Sequence, residues 1–112
     1  MLAYGHCTES FGSQLMQAIP RLRTLRFYSC TLPSLRFLRH APNLEDLSFG
    51  NCKGVRSGHV IGIGAFAPQL QSLRLEECAG LHLDEAEQQL LTPPGALGLP
   101  RLREFHYLPP FI

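Results

Sequence analysis

The 112-residue sequence predicts an α/β fold in which short parallel strands stack side by side in one open solenoid. Two observations support this fold class. A Pro-x-Leu-x-x-Leu/Phe-x-aromatic/Leu motif recurs four times, at intervals typical of solenoid repeats, and its copies begin at Pro20, Pro42, Pro68 and Pro100. All four cysteines also occupy one position of the repeat, so we interpret residues 1–112 as a single array with partial first and last copies.

Each copy has the alternation of a strand with one buried face. Positions are counted from the leucine that follows the proline, so that Leu22 is the first position of the first copy. The first, fourth and sixth positions are apolar, and around the fourth and sixth positions apolar residues alternate with other residues. One such strand cannot bury its apolar side alone, whereas stacked copies share a continuous core. We expect strands near residues 3, 25, 47, 73 and 105 on the concave face, with Ala3 aligned with Arg26 and Gly5 with Tyr28.

The segments between the strands are expected to form short helices or turns on the convex face. Glu9 to Ile19 and Leu32 to His40 have helical spacing, and Asp84 to Leu91 begins with acidic residues that favour a helix N-terminus. Ser57 to Phe66 contains three glycines that each cost roughly 1 kcal/mol in a helix. An irregular or partly 3₁₀ turn is therefore expected there, and Thr92 to Gly98 is interpreted as an insertion.

The cysteines could form disulfides, bind zinc or remain reduced. There is no Cys-x-x-Cys pair, ligands from neighbouring repeats would form a row rather than a tetrahedron, and nothing else indicates secretion. We expect a ladder of buried, reduced thiols at the corner after each strand, without a metal or another cofactor. These residues are Cys7, Cys30, Cys52 and Cys78.

Composition argues against two classes of partner. The net charge of +1 lacks the basic excess of a nucleic-acid binder, and no apolar run approaches the roughly 18 residues of a membrane span. The N-terminus lacks the basic and apolar regions of a secretory signal. An intracellular protein of the cytoplasm or nucleus is expected.

No set of residues has the spacing of a catalytic site. His6 and Cys7 are adjacent, but neighbouring residues on a strand point to opposite faces. The run from Gly58 to Gly64 lacks the Gly-Lys-Ser/Thr ending of a phosphate-binding loop. We therefore do not expect an enzyme.

The outward-pointing strand residues form the candidate binding surface. Curved solenoids present extended concave surfaces to partners, and Arg and Tyr are enriched at binding hot spots. The alternative is a solvated sheet face with ion pairs such as Arg26 with Asp46 and Arg74 with Glu104. The predicted partner-binding residues are Arg26, Tyr28, Asp46, Arg74, Glu76, Glu104 and His106.

The copies from Pro20 to Cys30, Pro42 to Cys52 and Pro68 to Cys78 resemble leucine-rich repeats of the cysteine-containing subtype found in F-box substrate receptors. The resemblance implies a protein–protein interaction module that recognises the substrates of a ubiquitin ligase. Ligase subunits would then bind regions outside this chain, since no F-box precedes the repeats. A regulatory or scaffolding repeat of the ribonuclease-inhibitor or GTPase-activator type is the alternative. The truncated end copies indicate a piece of a longer array.

Overall fold

The computed structural model describes residues 2–6, 14–15, 17–19, 21–32 and 34–110, with side chains from residue 14 onward. Parallel strands pair in chain order in one sheet, and short helices connect them, so the fold is α/β as the sequence predicted. The expected strands near residues 25, 47, 73 and 105 are confirmed. The strands are β1 (Leu2–His6), β2 (Thr24–Thr31), β3 (Asp46–Gly50), β4 (Ser72–Glu76) and β5 (Glu104–Leu108).

In strands β2 to β5, residues at the same position of successive copies pair with one another. The fourth-position residues Leu25, Leu47, Leu73 and Phe105 align across the sheet, and so do the residues on either side of them. Equivalent residues therefore form straight rows perpendicular to the strands. This alignment is the one that the repeat predicted.

The expected alignment of β1 is wrong by one residue at the start of the strand and by two residues at its end. Leu2, not Ala3, pairs with Arg26, and Gly5 pairs with Cys30 instead of Tyr28. The register also shifts between Tyr4 and Gly5. The physical reason for this shift is the left-handed Ser29, which the pairing skips, so that Gly5 and His6 pair with Cys30 and Thr31 at the end of β2.

The connecting segments contain short helices. A 3₁₀ helix spans Arg36–His40, helix α1 spans Ser57–Ile61 and continues as the 3₁₀ segment Gly62–Ala65, and helix α2 spans Glu85–Leu91. The partly 3₁₀ structure expected for Ser57 to Phe66 is thus present, although its first turn is α-helical.

The three other helix predictions have different outcomes. Helix α2 begins where the acidic residues indicated, because Asp84 Oδ1 accepts the N–H of Glu87 at 2.8 Å and the Glu87 side chain accepts the N–H of Asp84 at 3.2 Å. The expected helix from Leu32 to His40 is reduced to its last five residues. Of the expected helix from Glu9 to Ile19, residues 14, 15, 17 and 18 are helical, and most of the remainder lies outside the described residues.

One apolar core lies between the sheet and the connecting segments. The ring of Phe27 stacks on Phe49 with 5.4 Å between centroids and contacts the edge of Phe37 at 5.6 Å. All three rings are at most 2% exposed. Among the described residues no polar or charged residue is buried, so the core depends on apolar packing.

A left-handed residue lies directly before each described cysteine, just after the ends of β3 and β4 and within the longer β2. For residues other than glycine a positive φ is uncommon and marks a specific turn. The fourth copy has Pro109 at this position, and the proline ring holds φ near −65°. The same corner therefore cannot follow β5. The left-handed residues are Ser29, Asn51 and Glu77, with φ values of 55°, 53° and 54°.

The predicted thiol ladder is confirmed for three cysteines, which are buried at these turns and form no disulfide with another described residue. Cys52 Sγ donates to the carbonyl oxygens of Phe27 at 3.6 Å and Gly50 at 3.4 Å, and Cys78 makes the equivalent contacts one repeat later. Each of these two thiols thus links its corner to its own strand and to the preceding strand. The hydrogen bond with Cys78 and burial both raise the pKa of Cys52, so this thiol stays protonated. The ladder comprises Cys30, Cys52 and Cys78, while Cys7 lies outside the described residues.

The insertion from Thr92 to Gly98 packs on the 3₁₀ segment that follows α1. Gly64 lies so close to the backbone of Gly98 that a Cβ on Gly64 would be 2.7 Å from the Gly98 carbonyl carbon. Ala96, inside the insertion, is buried in the core. The glycine at position 64 therefore permits the close approach of two backbone segments.

None of the helices in the described part of the chain has the length and apolar character needed to cross a membrane.

Candidate interaction surface

The outer face is the side of the sheet opposite the core, formed by the outward side chains of β2 to β5. In these strands core residues alternate with residues that are half-buried or exposed. Every predicted binding residue lies on this face and none is buried. The seven are Arg26, Tyr28, Asp46, Arg74, Glu76, Glu104 and His106.

A depression of about 570 Å³ lies over β3 on the outer face, and we call it the β3 depression. Its floor is formed by Ser48, which has a small side chain, and Gly50, which has none. These two residues leave space between the larger residues of β2 and β4. Sheet register places Ser48 between Arg26 and Arg74, and it places Gly50 between Tyr28 and Glu76. The structure thus brings five predicted residues together, namely Arg26, Tyr28, Asp46, Arg74 and Glu76.

The ring of Tyr28 can lie close to β3 because Gly50 has no side chain. A Cβ at that glycine would lie 3.1 Å from Tyr28 Cδ2, so the ring rests close to the Gly50 backbone. Tyr28 is nevertheless 49% exposed. An aromatic ring that is held against the sheet but still exposed can contact a partner at a low cost in side-chain entropy.

The charges of the outer face are arranged in rows. Arg26, Ser48, Arg74 and His106 align across the strands as the central row, with carboxylates on both sides of it. Arg74 Nη1 lies 3.6 Å from Glu76 Oε1, and His106 Nε2 lies 3.9 Å from the same oxygen. Because these groups are about half exposed, water screens both contacts, which hold the side chains weakly.

The ion pairs of the solvated-face alternative do not form. Among the described residues Arg26 has no ion pair, and Asp46 instead accepts a hydrogen bond from Thr24 Oγ1 at 3.3 Å. Arg74 contacts Glu76 on its own strand rather than Glu104. Both expected pairs would be diagonal across neighbouring strands, as the contact between His106 and Glu76 is, so the register allows these pairs without requiring them.

The other two predicted residues, Glu104 and His106, line a smaller depression of about 390 Å³ over β4 and β5. Ser72 and Arg74 line both this depression and the β3 depression. The insertion contributes Thr92 and Pro93 to its rim. The two groups of predicted residues are therefore neighbours on one face.

Sequence reasoning missed two parts of this surface. Ser48 and Gly50 were not predicted as site residues, although small residues between bulky ones in neighbouring repeats are a recognisable signal for a depression. Thr92 and Pro93 had no such signal, since an insertion in a connecting segment can pack in many places.

The chemistry available on the outer face consists of hydrogen bonds, ion pairs and aromatic contact. No group of three or more His, Cys, Asp or Glu side chains within the described ranges is arranged to hold a metal ion. The described histidines His40, His59, His82 and His106 belong to different repeats or loops. Such a surface is suited to contact with another polypeptide.

No family model matches the chain, and neither the curated proteins nor the solved structures include one with significant similarity to it.

Proposed function

We propose that this chain is a protein–protein interaction module that binds its partner on the outer face of the sheet. The observation that carries the proposal is the β3 depression, where Arg26, Arg74 and Tyr28 surround a floor of small residues. Arginine and tyrosine are the residue types that most often dominate binding energy at protein interfaces.

The scaffold supports this function because it holds the side chains on strands. Arg26 and Arg74 are each flanked along their strands by two buried core residues, so that the backbone on both sides of the depression is fixed by packing. The aligned repeats and the thiol ladder are consistent with an open leucine-rich-repeat solenoid whose concave side is the outer face. In such a solenoid the β3 depression would lie at the centre of the binding surface.

Within this proposal, the chain is the substrate-recognition part of an F-box-type ubiquitin-ligase adaptor. Support for this step is the cysteine at the same position of the copies that begin at Pro20, Pro42 and Pro68, whose thiols are all buried. Contact with ligase subunits would then be made by regions outside this chain.

The test of the binding function is a capture experiment with a variant that fills the depression. Ser48→Tyr places a large side chain on the floor, at a half-buried position where a β-favouring residue is tolerated. The matched control is Arg36→Ala, an exposed change on the 3₁₀ helix away from the outer face. Wild-type chain is expected to retain a specific set of proteins that Ser48→Tyr loses and Arg36→Ala keeps, with circular dichroism unchanged.

An unchanged set with Ser48→Tyr would refute binding through the β3 depression. The ligase role is tested by removing the protein from cells and measuring the half-lives of the captured proteins. Longer half-lives are expected for a substrate receptor. Unchanged half-lives would contradict the ligase role while leaving the binding function in place.

A further inference from the structure

The central row contains two arginines whose positive charges are available to a partner. Arg26 has no ion pair among the described residues, and Arg74 has only the 3.6 Å contact with Glu76, in which both side chains are about half exposed. Arginine presents a planar fork of donors that matches the two oxygens of a carboxylate. Each arginine can therefore bind an anionic group without first losing a strong internal contact.

The geometry lets both arginines reach one group. They stand on β2 and β4 at the same level, with Ser48 of β3 directly between them. Since neighbouring strands are about 4.8 Å apart, their Cα atoms are separated by roughly 10 Å. Arginine side chains are long enough to converge on an anion above Ser48, and the small serine leaves space for it.

We infer that the β3 depression binds an acidic segment of the partner protein, with one aspartate or glutamate carboxylate held between Arg26 and Arg74 above Ser48. This inference rests on the proposed interaction function and deepens it. A hydrophobic residue next to that carboxylate would contact the exposed ring of Tyr28, which is the next outward-pointing residue after Arg26 on β2.

The surrounding charges favour a carboxylate over a phosphate. Asp46 and Glu76 also line the depression, and they repel a doubly charged phosphate more strongly than a singly charged carboxylate. Glu76 also competes with the incoming carboxylate for Arg74. This competition predicts that removal of the Glu76 charge tightens binding.

The experiment selects a random 12-residue peptide library on the full chain and counter-selects on the Ser48→Tyr variant. Enriched peptides are expected to share an Asp or Glu at a fixed distance from an apolar residue. One enriched peptide is then synthesised with Glu, Gln or phosphoserine at the shared position, and its affinity is measured by fluorescence polarisation. The Glu form is expected to bind at least about ten-fold more tightly than the Gln form, because it makes charge-assisted hydrogen bonds.

Variants of the chain assign the effect to the two arginines. Arg26→Ala and Arg74→Ala are each expected to weaken the Glu peptide by about ten-fold or more, while Arg36→Ala, which removes the same charge elsewhere, leaves the affinity unchanged. Glu76→Gln is expected to tighten binding by about two- to five-fold. This gain distinguishes competition for Arg74 from mere damage to the fold, since a damaged fold would weaken binding.

Several results would overturn the inference: no enrichment, enrichment without acidic residues, equal affinities of the Glu and Gln peptides, or tighter binding of the phosphoserine form. The inference would also be overturned if Arg26→Ala and Arg74→Ala bound the Glu peptide as tightly as the wild type, or if Glu76→Gln did not bind it more tightly. If acidic preference fails while Ser48→Tyr still abolishes protein capture, the binding function stands and only its acidic ligand is wrong. If Ser48→Tyr leaves capture intact, the proposed function itself fails.

Discussion

Two glycines of one 3₁₀ segment are expected to respond to alanine with opposite signs. The changes are Gly64→Ala and Gly62→Ala, both in the 3₁₀ segment that follows α1. A Cβ at Gly64 would lie 2.7 Å from the carbonyl carbon and 2.8 Å from the Cα of Gly98, whereas a Cβ at Gly62 would have no atom within 4 Å. The same chemical change thus enters a filled space in one case and open space in the other.

The magnitudes follow from these contacts. Ordinary Cβ contacts begin near 3.4 Å, so Gly64→Ala forces the 3₁₀ segment and the backbone of the insertion apart by several tenths of an ångström. Overpacking of this kind costs about 1–3 kcal/mol. At Gly62 the residue has a negative φ of −84°, so alanine fits and reduces the entropy of the unfolded chain. Gly62→Ala should therefore stabilise the fold by about 0.4–1 kcal/mol.

Urea unfolding followed by far-ultraviolet circular dichroism measures both changes. The midpoint is expected to fall for Gly64→Ala and to rise for Gly62→Ala without a change in the slope. In thermal unfolding, Gly64→Ala should lower Tm by several degrees, at roughly 4 °C per kcal/mol for a domain of this size. The reasoning is refuted if Gly64→Ala is as stable as the wild type, or if both variants shift in the same direction.

Three further predictions concern the core and the corners. Phe49→Ala should destabilise the fold by about 3–5 kcal/mol in urea unfolding, because it empties a buried ring site. Phe49→Leu should cost below about 1.5 kcal/mol, since leucine fills the same register position in β4. Similar losses for both variants would contradict this argument from buried volume. Cys30, Cys52 and Cys78 should resist alkylation in the native state and react once denaturant is added, and mass spectrometry showing rapid native labelling would exclude a buried ladder. Tyr107→Phe should cost about 1–3 kcal/mol in urea unfolding, because the Tyr107 hydroxyl donates to the carbonyl oxygen of Leu81 at 3.0 Å and accepts the N–H of Leu83 at 3.1 Å. A variant as stable as the wild type would show that water replaces both bonds.

Strand positions and most of the register could be predicted because the repeat encodes them locally. Leucine at the fourth position must face the core in every copy, and a slip of one residue would turn that whole row towards solvent. The same constraint placed all seven candidate binding residues on one face. It did not hold for β1, whose pairing with β2 is displaced by one residue from Leu2 onward and shifts again between Tyr4 and Gly5.

Side-chain partners on the outer face could not be predicted in the same way. Exposed charges have several neighbours at similar distances, and the energy differences between alternative ion pairs are small. Arg74 therefore pairs with Glu76 rather than Glu104, which no sequence pattern distinguishes. The β3 depression likewise depends on three strands together, since Ser48 becomes a floor only between two arginines.

The sequence by itself determined the repeating strands, the inward leucines, the buried cysteines and the face on which the candidate site lies. Each of these follows from apolar residues at fixed spacing, which have one favourable arrangement when copies stack. Only the tertiary structure decided which glycine must remain a glycine, where the insertion packs and which charges stay available on the outer face. These features depend on atoms that are distant in sequence and meet only in the folded chain, as Gly64 meets Gly98 and as Arg26 faces Arg74 across Ser48.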